Sequence, residues 1–277
     1  MSYKKSFICM KVITIASFLL FFQLSFAQYD FTGIDQLLQR NSKQLANNVV
    51  AIVYKDGKII YQKQIGDFNA KTQAPIGASS QWLTTALVMT FVDQGKLDLD
   101  EPVSKYLPVF TKYMKSYITL RHCLTNTTGI EREKSAGKIQ EKKKYANLEE
   151  EMNTIAAKEI SNNPGKEVFF GNYGFSIAAR VCEVVGKKSF ERLIQERITR
   201  PLKMPFTNFT NEEGYASSPS GGGKSSALDY MNFLIMILNK GMFENKRILS
   251  ENAVAEMQKS PGSRYPGKMG TQNGRRI

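Results

Sequence analysis

Apolar positions along the chain switch between a spacing of three to four residues and a spacing of two, and the switches divide it into elements. Residues 34–45 carry a short helical pattern. Residues 49–54 and 59–65 read as paired strands, because Asp56-Gly57 between them favours the tight turn that matches strand twist. Residues 83–93 are apolar on most sides and run up to Gly95, which predicts a buried helix with a glycine cap. A short helix is expected over 103–107, bracketed by Pro102 and Pro108. Further helices are predicted at 149–160, at 174–185 with Gly186 as the stop, at 189–199 ahead of Pro201, at 227–239 ahead of Gly241, and at 250–259. Two stretches break the pattern. Residues 131–144, with five lysines, read as a solvated loop or helix face, and the small, Gly-rich residues 217–226 as a linker or tight loop.

Residues 1–27 stand apart from this core-forming pattern. Lys4, Lys5 and Lys11 precede an apolar run over 12–26, interrupted only by Thr14, Ser17, Gln23 and Ser25, and Ala27 follows as a second small residue. That order predicts a signal peptide cut ahead of Gln28, and a mature domain of residues 28–277 that is secreted or periplasmic. An uncleaved membrane anchor is the competing reading, although the run is short for a span, and it would be the chain's only membrane contact. At 277 residues the chain can bury one core or one core split into two lobes.

Charge and composition narrow the chemistry. The net charge of +13 falls to +10 once residues 1–27 are removed, with 35 basic against 25 acidic residues. A basic exported protein is drawn weakly to anionic envelope polymers or lipid headgroups. No basic stripe is interleaved with aromatics, so nucleic acid is not an expected partner. His122 is the single histidine and no ligands cluster around it, so no metal site is expected. Cys123 and Cys182 lie in apolar helical patterns and read as buried thiols, a disulfide being the alternative in an oxidising compartment. Gly223-Lys224-Ser225 is the tail of a phosphate-binding loop, but residue 218, where the first glycine belongs, is serine.

A longer set of landmarks is more specific. Pro75-Ile76-Gly77-Ala78-Ser79-Ser80-Gln81-Trp82-Leu83-Thr84 is followed by Val92-Asp93-Gln94-Gly95, Leu97-Asp98-Leu99-Asp100 and Pro102-Val103. Thr125-Asn126-Thr127-Thr128-Gly129, Phe170-Gly171-Asn172, Arg200-Pro201-Leu202-Lys203-Met204, Gly221-Gly222-Gly223 and Asp229-Tyr230 come next, in that order. This series resembles the β-lactamase and penicillin-binding-protein family of serine hydrolases over nearly all of the mature chain. The resemblance implies an α/β fold, with an antiparallel sheet begun by the 49–65 hairpin and an all-helical lobe over about 76–240. It also implies acyl transfer without metal or organic cofactor. Peptidoglycan-derived peptides, β-lactams or small esters would be the ligands of the cleft.

In that family a serine is activated by a lysine one helical turn later in Ser-x-x-Lys, and the neutral amine accepts the serine proton. A tyrosine in Tyr-x-Asn relays protons. By resemblance the serine position is Ala78, the lysine position Gln81 and the tyrosine position Phe170, while Asn172 is retained and Asn126 stands where histidine is frequent. A methyl group has no nucleophilic atom and an amide no basic lone pair. Neither Ser79 nor Ser80 has a lysine three residues on, and both are expected to cap or hydrogen-bond the first helical turn. Ser135 with Lys138 has the spacing but opens no apolar helix. His122 is expected to pack rather than to act as a base. No Lys-Thr-Gly, Lys-Ser-Gly or His-x-Gly occurs, which makes the domain look C-terminally truncated against the family. Three readings follow: a catalytically inactive homologue that binds at the cell envelope, an active envelope hydrolase with displaced catalytic groups, or a truncated product without function.

Overall fold

The structure, a computed structural model, describes residues 29–130 and 144–259. The expected leader, the lysine-rich stretch with Ser135 and Lys138, and residues 260–277 lie outside the described residues, apart from Lys144. In chain order the elements are α1 (Thr32–Arg40), β1 (Val49–Lys55), β2 (Lys58–Ile65), β3 (Ala74–Pro75), α2 (Ser80–Val92), α3 (Val109–Lys112), α4 (Leu120–Leu124) and α5 (Leu148–Ala157). They continue as α6 (Tyr173–Gly186), α7 (Phe190–Ile194), β4 (Lys224–Ser225), α8 (Ala227–Leu238), β5 (Met242–Phe243), β6 (Lys246–Arg247) and α9 (Glu251–Met257). Short 3₁₀ turns precede α2 at Gly77–Ser79 and α3 at Val103–Lys105, and a π-helical turn, Gln195–Thr199, extends α7.

The hairpin forms as its sequence dictates. Strands β1 and β2 pair antiparallel from Val49 opposite Ile65 to Lys55 opposite Lys58, with one irregularity between Val53 and Tyr54. Asp56 and Gly57 both take left-handed φ angles, 49° and 81°, the geometry whose twist suits a right-twisted ribbon. Helix α1 stops at Arg40, short of the expected residue 45, and gives way to turns over 41–47, at whose end Ala46 and Asn47 turn left-handed and lead the chain into β1. It packs on the hairpin through Phe31 and Tyr61, whose ring centroids are 4.6 Å apart, and through Asp35, which accepts the Tyr61 hydroxyl at 2.9 Å.

Helix α2 is the centre of the fold. Leu83, Ala86, Leu87, Val88 and Phe91 are fully buried, each large member contributing about 1.5–3 kcal/mol. Its end follows the glycine signal: the Gly95 N–H reaches Val92 O and the Lys96 N–H reaches Phe91 O, the paired bonds of a Schellman cap. Helices α6, α7 and α9 pack against it. Ser250, which caps α9, donates its N–H and hydroxyl to the Asp93 carboxylate at 2.7 and 2.6 Å. Arg121 holds Asp100 and also reaches Glu256 on α9.

Two expectations need correction. Gly186 does not stop α6; it is the last helical residue, and Lys187 takes the left-handed cap with φ 52°. The glycine serves packing instead, since a Cβ there would lie 2.8 Å from Leu193 Cδ2 and 3.0 Å from Phe91 Cζ. Helix α5 ends at Ala157 rather than residue 160, because Lys158 is extended and Ile160 pairs with Ile130 in an isolated antiparallel bridge.

The α/β arrangement otherwise holds. Three two-stranded antiparallel sheets occur among the described residues, the hairpin, β3 with β4, and β5 with β6. The β3–β4 pair, Ala74 opposite Ser225 and Pro75 opposite Lys224, places the Gly-rich loop against the start of α2. No helix among the described residues is long and apolar enough to cross a membrane.

Candidate functional site

The segment ahead of α2 is shaped by Gly77, whose φ of +51° lies in the left-handed region that a side chain disfavours. It turns the chain so that Ala78 and Ser79 are exposed while Ser80 is buried. Ser80 does not cap its own helix. Its hydroxyl accepts the Gly223 N–H at 3.0 Å, and the Ile76 N–H reaches Gly223 O at 2.9 Å. Gly223 has no room for a side chain: a Cβ would lie 2.7 Å from Ser80 Oγ and 3.1 Å from Phe209 Cζ. Thr84, one turn further, donates its hydroxyl to Pro219 O at 2.7 Å. The loop that reads locally as a linker is therefore the clamp on the α2 N-terminus. Ser79 makes no side-chain cap either, so the expected capping role of both serines is replaced by a tertiary bond from one of them.

Ala78 opens onto a cavity of 380 Å³ lined also by Ser79, Trp82, Tyr230 and Leu234. Tyr230 and Leu234, four apart on one face of α8, form the opposite wall. Trp82 and Tyr230 are steadied by the buried Phe233 between them, at ring centroid distances of 6.3 and 5.6 Å. The Tyr230 hydroxyl donates to Ser79 O at 3.1 Å. Burial raises the pKa of this phenol, outweighing the bond to Ser79, so at neutral pH it is a donor and not a base. The wall thus offers a methyl, an indole, an aliphatic side chain and two hydroxyls. Gln81 follows, half-buried, in the first turn of α2.

Phe170 and Asn172 flank Gly171 ahead of α6. Phe170 is 54% exposed and Asn172 is exposed at the helix N-cap without a capping bond. Asn126 organises this edge, accepting the Phe169 N–H on its carbonyl at 2.8 Å and the Gly171 N–H on its side chain at 3.2 Å. It does so from a left-handed backbone, φ 58°, which asparagine tolerates better than most residues. A second cavity of 20 Å³, bordered by Asn126, Thr128, Phe169, Gly171 and Tyr173, lies here. Ala78 and Gly171 therefore border two different hollows.

His122 has a structural place. Its Nδ1 accepts the Thr119 N–H at 3.2 Å while its own N–H reaches Thr119 Oγ1, a capping box in which histidine takes the usual acidic role. Burial pushes its pKa below the ordinary imidazole value. Cys123 and Cys182 are free and fully buried, and burial raises both thiols well above their ordinary range. Among the described residues no three His, Cys, Asp or Glu side chains gather as a metal site would require. Sequence reasoning missed the cavity wall on α8; the spacing of Tyr230 and Leu234 on an amphipathic helix was the available signal.

The family model described as β-lactamase matches residues 34–275. The teichoic acid D-alanine hydrolase of Staphylococcus aureus is 30% identical over 207 residues, covering 69% of this chain and 49% of that one. The chain thus spans about half the length of the curated relatives it matches. Among solved structures, a provisionally assigned β-lactamase from Bacteroides dorei DSM 17855 superposes with a TM-score of 0.78 at 28% identity, over 89% of this chain and 74% of that one. An octameric penicillin-binding protein homologue from Pyrococcus abyssi shares the fold at 22% identity, TM-score 0.71, over 84% of this chain and 61% of that one. With the α2 segment, the Asn126 loop and the Gly-rich clamp in family order, the chain belongs to the β-lactamase family of penicillin-binding-protein-like serine hydrolases.

Proposed function

We propose that this chain is an exported, non-hydrolytic member of its family that binds a small acyl ligand at Ala78. The observation that carries the reading is the exposure of Ala78 on a cavity walled by Ser79, Trp82, Tyr230 and Leu234, with Gln81 three residues on. If Ala78 and Gln81 occupy the positions of the family's serine and lysine, the cavity keeps its walls and lacks both the attacking atom and its base. Asn172 and the Asn126 edge would then serve recognition rather than proton transfer. Ligands ending in D-alanine are the first to try, since the staphylococcal relatives are D-alanine hydrolases of teichoic acid. The leader expected over 1–27 would deliver the chain to that compartment.

The test uses Trp82, the sole tryptophan of the chain and part of the cavity wall. Titration of the mature protein with an acetylated D-alanyl-D-alanine peptide should change indole emission saturably, while the peptide is recovered uncleaved. A fluorescent penicillin should leave no covalent label. Acylation mapped by mass spectrometry to Ser79 would overturn the reading in favour of displaced catalytic groups, and emission unmoved by D-alanyl ligands would remove the binding role.

A further inference from the structure

A larger cavity of 560 Å³, within the range of about 300–1,000 Å³ usual for small-molecule sites, lies beside residues 189–210 and shares no residue with the one at Ala78. One wall is the π-helical turn Gln195–Thr199, closed by the Arg200 N–H on Gln195 O at 3.0 Å. Such turns are rare, cost helix stability, and concentrate at functional sites.

The groups around the cavity sort by whether they already have partners. Arg192 is held by Glu196 at 2.6 Å, Lys203 pairs with Glu244, and Glu191, the cavity's acid, accepts the Ser217 hydroxyl. Arg200 forms no ion pair among the described residues, which leaves one guanidinium uncommitted at the rim. Thr199 lines the cavity from a largely buried position, 4% exposed. Gln195 accepts weakly from Arg192 at 3.4 Å, so its amide N–H groups are left to donate. Ile194, Met204 and Pro205 supply an apolar flank.

We propose that this cavity is a second ligand site, taking a hydroxyl-rich ring that carries one carboxylate or phosphate. The fork of Arg200 suits two coplanar anionic oxygens. Gln195 and Thr199 match ring hydroxyls, and the apolar flank matches the C–H face of a sugar. A bare anion uses only the first of these, and a neutral sugar only the others.

The experiment titrates the mature chain with glucuronic acid, glucose 6-phosphate, glucose and inorganic phosphate, by calorimetry and protein-observed NMR at low salt. Both acidic sugars should saturate, with shift changes confined to residues 189–210, and glucose and phosphate alone should each bind at least about tenfold more weakly. Which acidic sugar is tighter separates a carboxylate from a phosphate ligand. Arg200→Gln should lower affinity for the acidic sugars about tenfold, to the level of glucose, whereas Gln195→Ala should weaken acidic and neutral sugars together. Both residues are exposed, so unchanged melting will confirm that the variants fold. No saturable binding of either acidic sugar overturns the proposal. So does binding that neither variant alters, or phosphate binding as tightly as the sugars. Trp82 emission should stay constant throughout, which keeps this outcome separate from that at Ala78.

Discussion

Asp229→Ala removes the carboxylate that ties three segments behind the Ala78 cavity. Asp229 is 3% exposed, and its Oδ2 accepts both the Phe206 N–H at 2.7 Å and the Thr207 hydroxyl at 2.8 Å. The Thr207 hydroxyl also contacts Ser225 Oγ at 2.7 Å, on the strand that carries the Gly223 clamp. Hydrogen bonds to a charged group contribute about 1.5–3 kcal/mol each. In the alanine variant Thr207 can turn fully to Ser225, but the Phe206 N–H has no such substitute. The expected loss is therefore one full bond and part of another, about 2–4 kcal/mol. Asp229→Asn keeps an acceptor oxygen for the Phe206 N–H and forfeits the charge, so its loss should be about half. Urea unfolding of both variants should show lower midpoints at an unchanged slope, since the surface exposed on unfolding is the same. Tyr230 is the next residue, so the emission of Trp82 across the cavity should also shift in the alanine variant. An alanine loss below about 0.5 kcal/mol, or equal losses for the two variants, would refute the assignment of Asp229 as the acceptor that joins these segments.

Four other outcomes are expected. Ala78→Ser should remain unlabelled by penicillin, because the Gln81 amide cannot accept a serine proton at neutral pH; a mass increase at residue 78 would contradict this. Gly223→Ala should cost about 1–3 kcal/mol in urea unfolding, since the new methyl meets Ser80 and Phe209 in a packed interior. Burial raises the Glu151 carboxyl to about 7 against an opposing bond from the Ser176 hydroxyl. The fold then holds a proton that the unfolded chain releases above its ordinary value, so stability should fall as pH rises from about 4.5 to 7, and Glu151→Gln should be more stable than wild type at pH 8 by up to about 3 kcal/mol and not at pH 4. Burial opposes ionisation of Glu256, yet hydrogen bonds from Lys259 and Arg121 outweigh it and hold that carboxyl below its ordinary value. Its contribution should be present at neutral pH and be lost as pH falls below about 4, and Arg121→Met should flatten the acid limb of the unfolding curve.

The elements that were legible in the sequence are those with local causes. Asp56-Gly57 specifies its turn through two left-handed residues, and the apolar run over 83–93 with Gly95 specifies a buried helix and its cap. Gly186 misled because a glycine near a helix end is read as a stop, whereas here it makes room for Leu193 and Phe91 from elsewhere in the chain. Ser80 misled for the same reason: its partner, Gly223, is 143 residues away and nothing next to Ser80 announces it. The significance of Ala78, Gln81, Phe170 and Asn172 came from resemblance alone, since an alanine and a glutamine at a helix start carry no chemical signal. The cavity beside the π turn was illegible because a π turn differs from an α turn by one residue in its bonding, which hydrophobic spacing does not register.

The long reach of the clamp also sets an order of assembly. The bonds that shape the start of α2 join residues 74–84 to residues 219–225, so they close a loop of about half the chain. Such closure is entropically slow and waits for the helices between to condense. On the ribosome, Ala78 and Trp82 emerge early but have no wall facing them until Tyr230 and Leu234 have been synthesised and released. The cavity at Ala78 is consequently among the last parts of the molecule to form, and its closure marks the point at which the N-terminal and C-terminal halves of the described fold have come together.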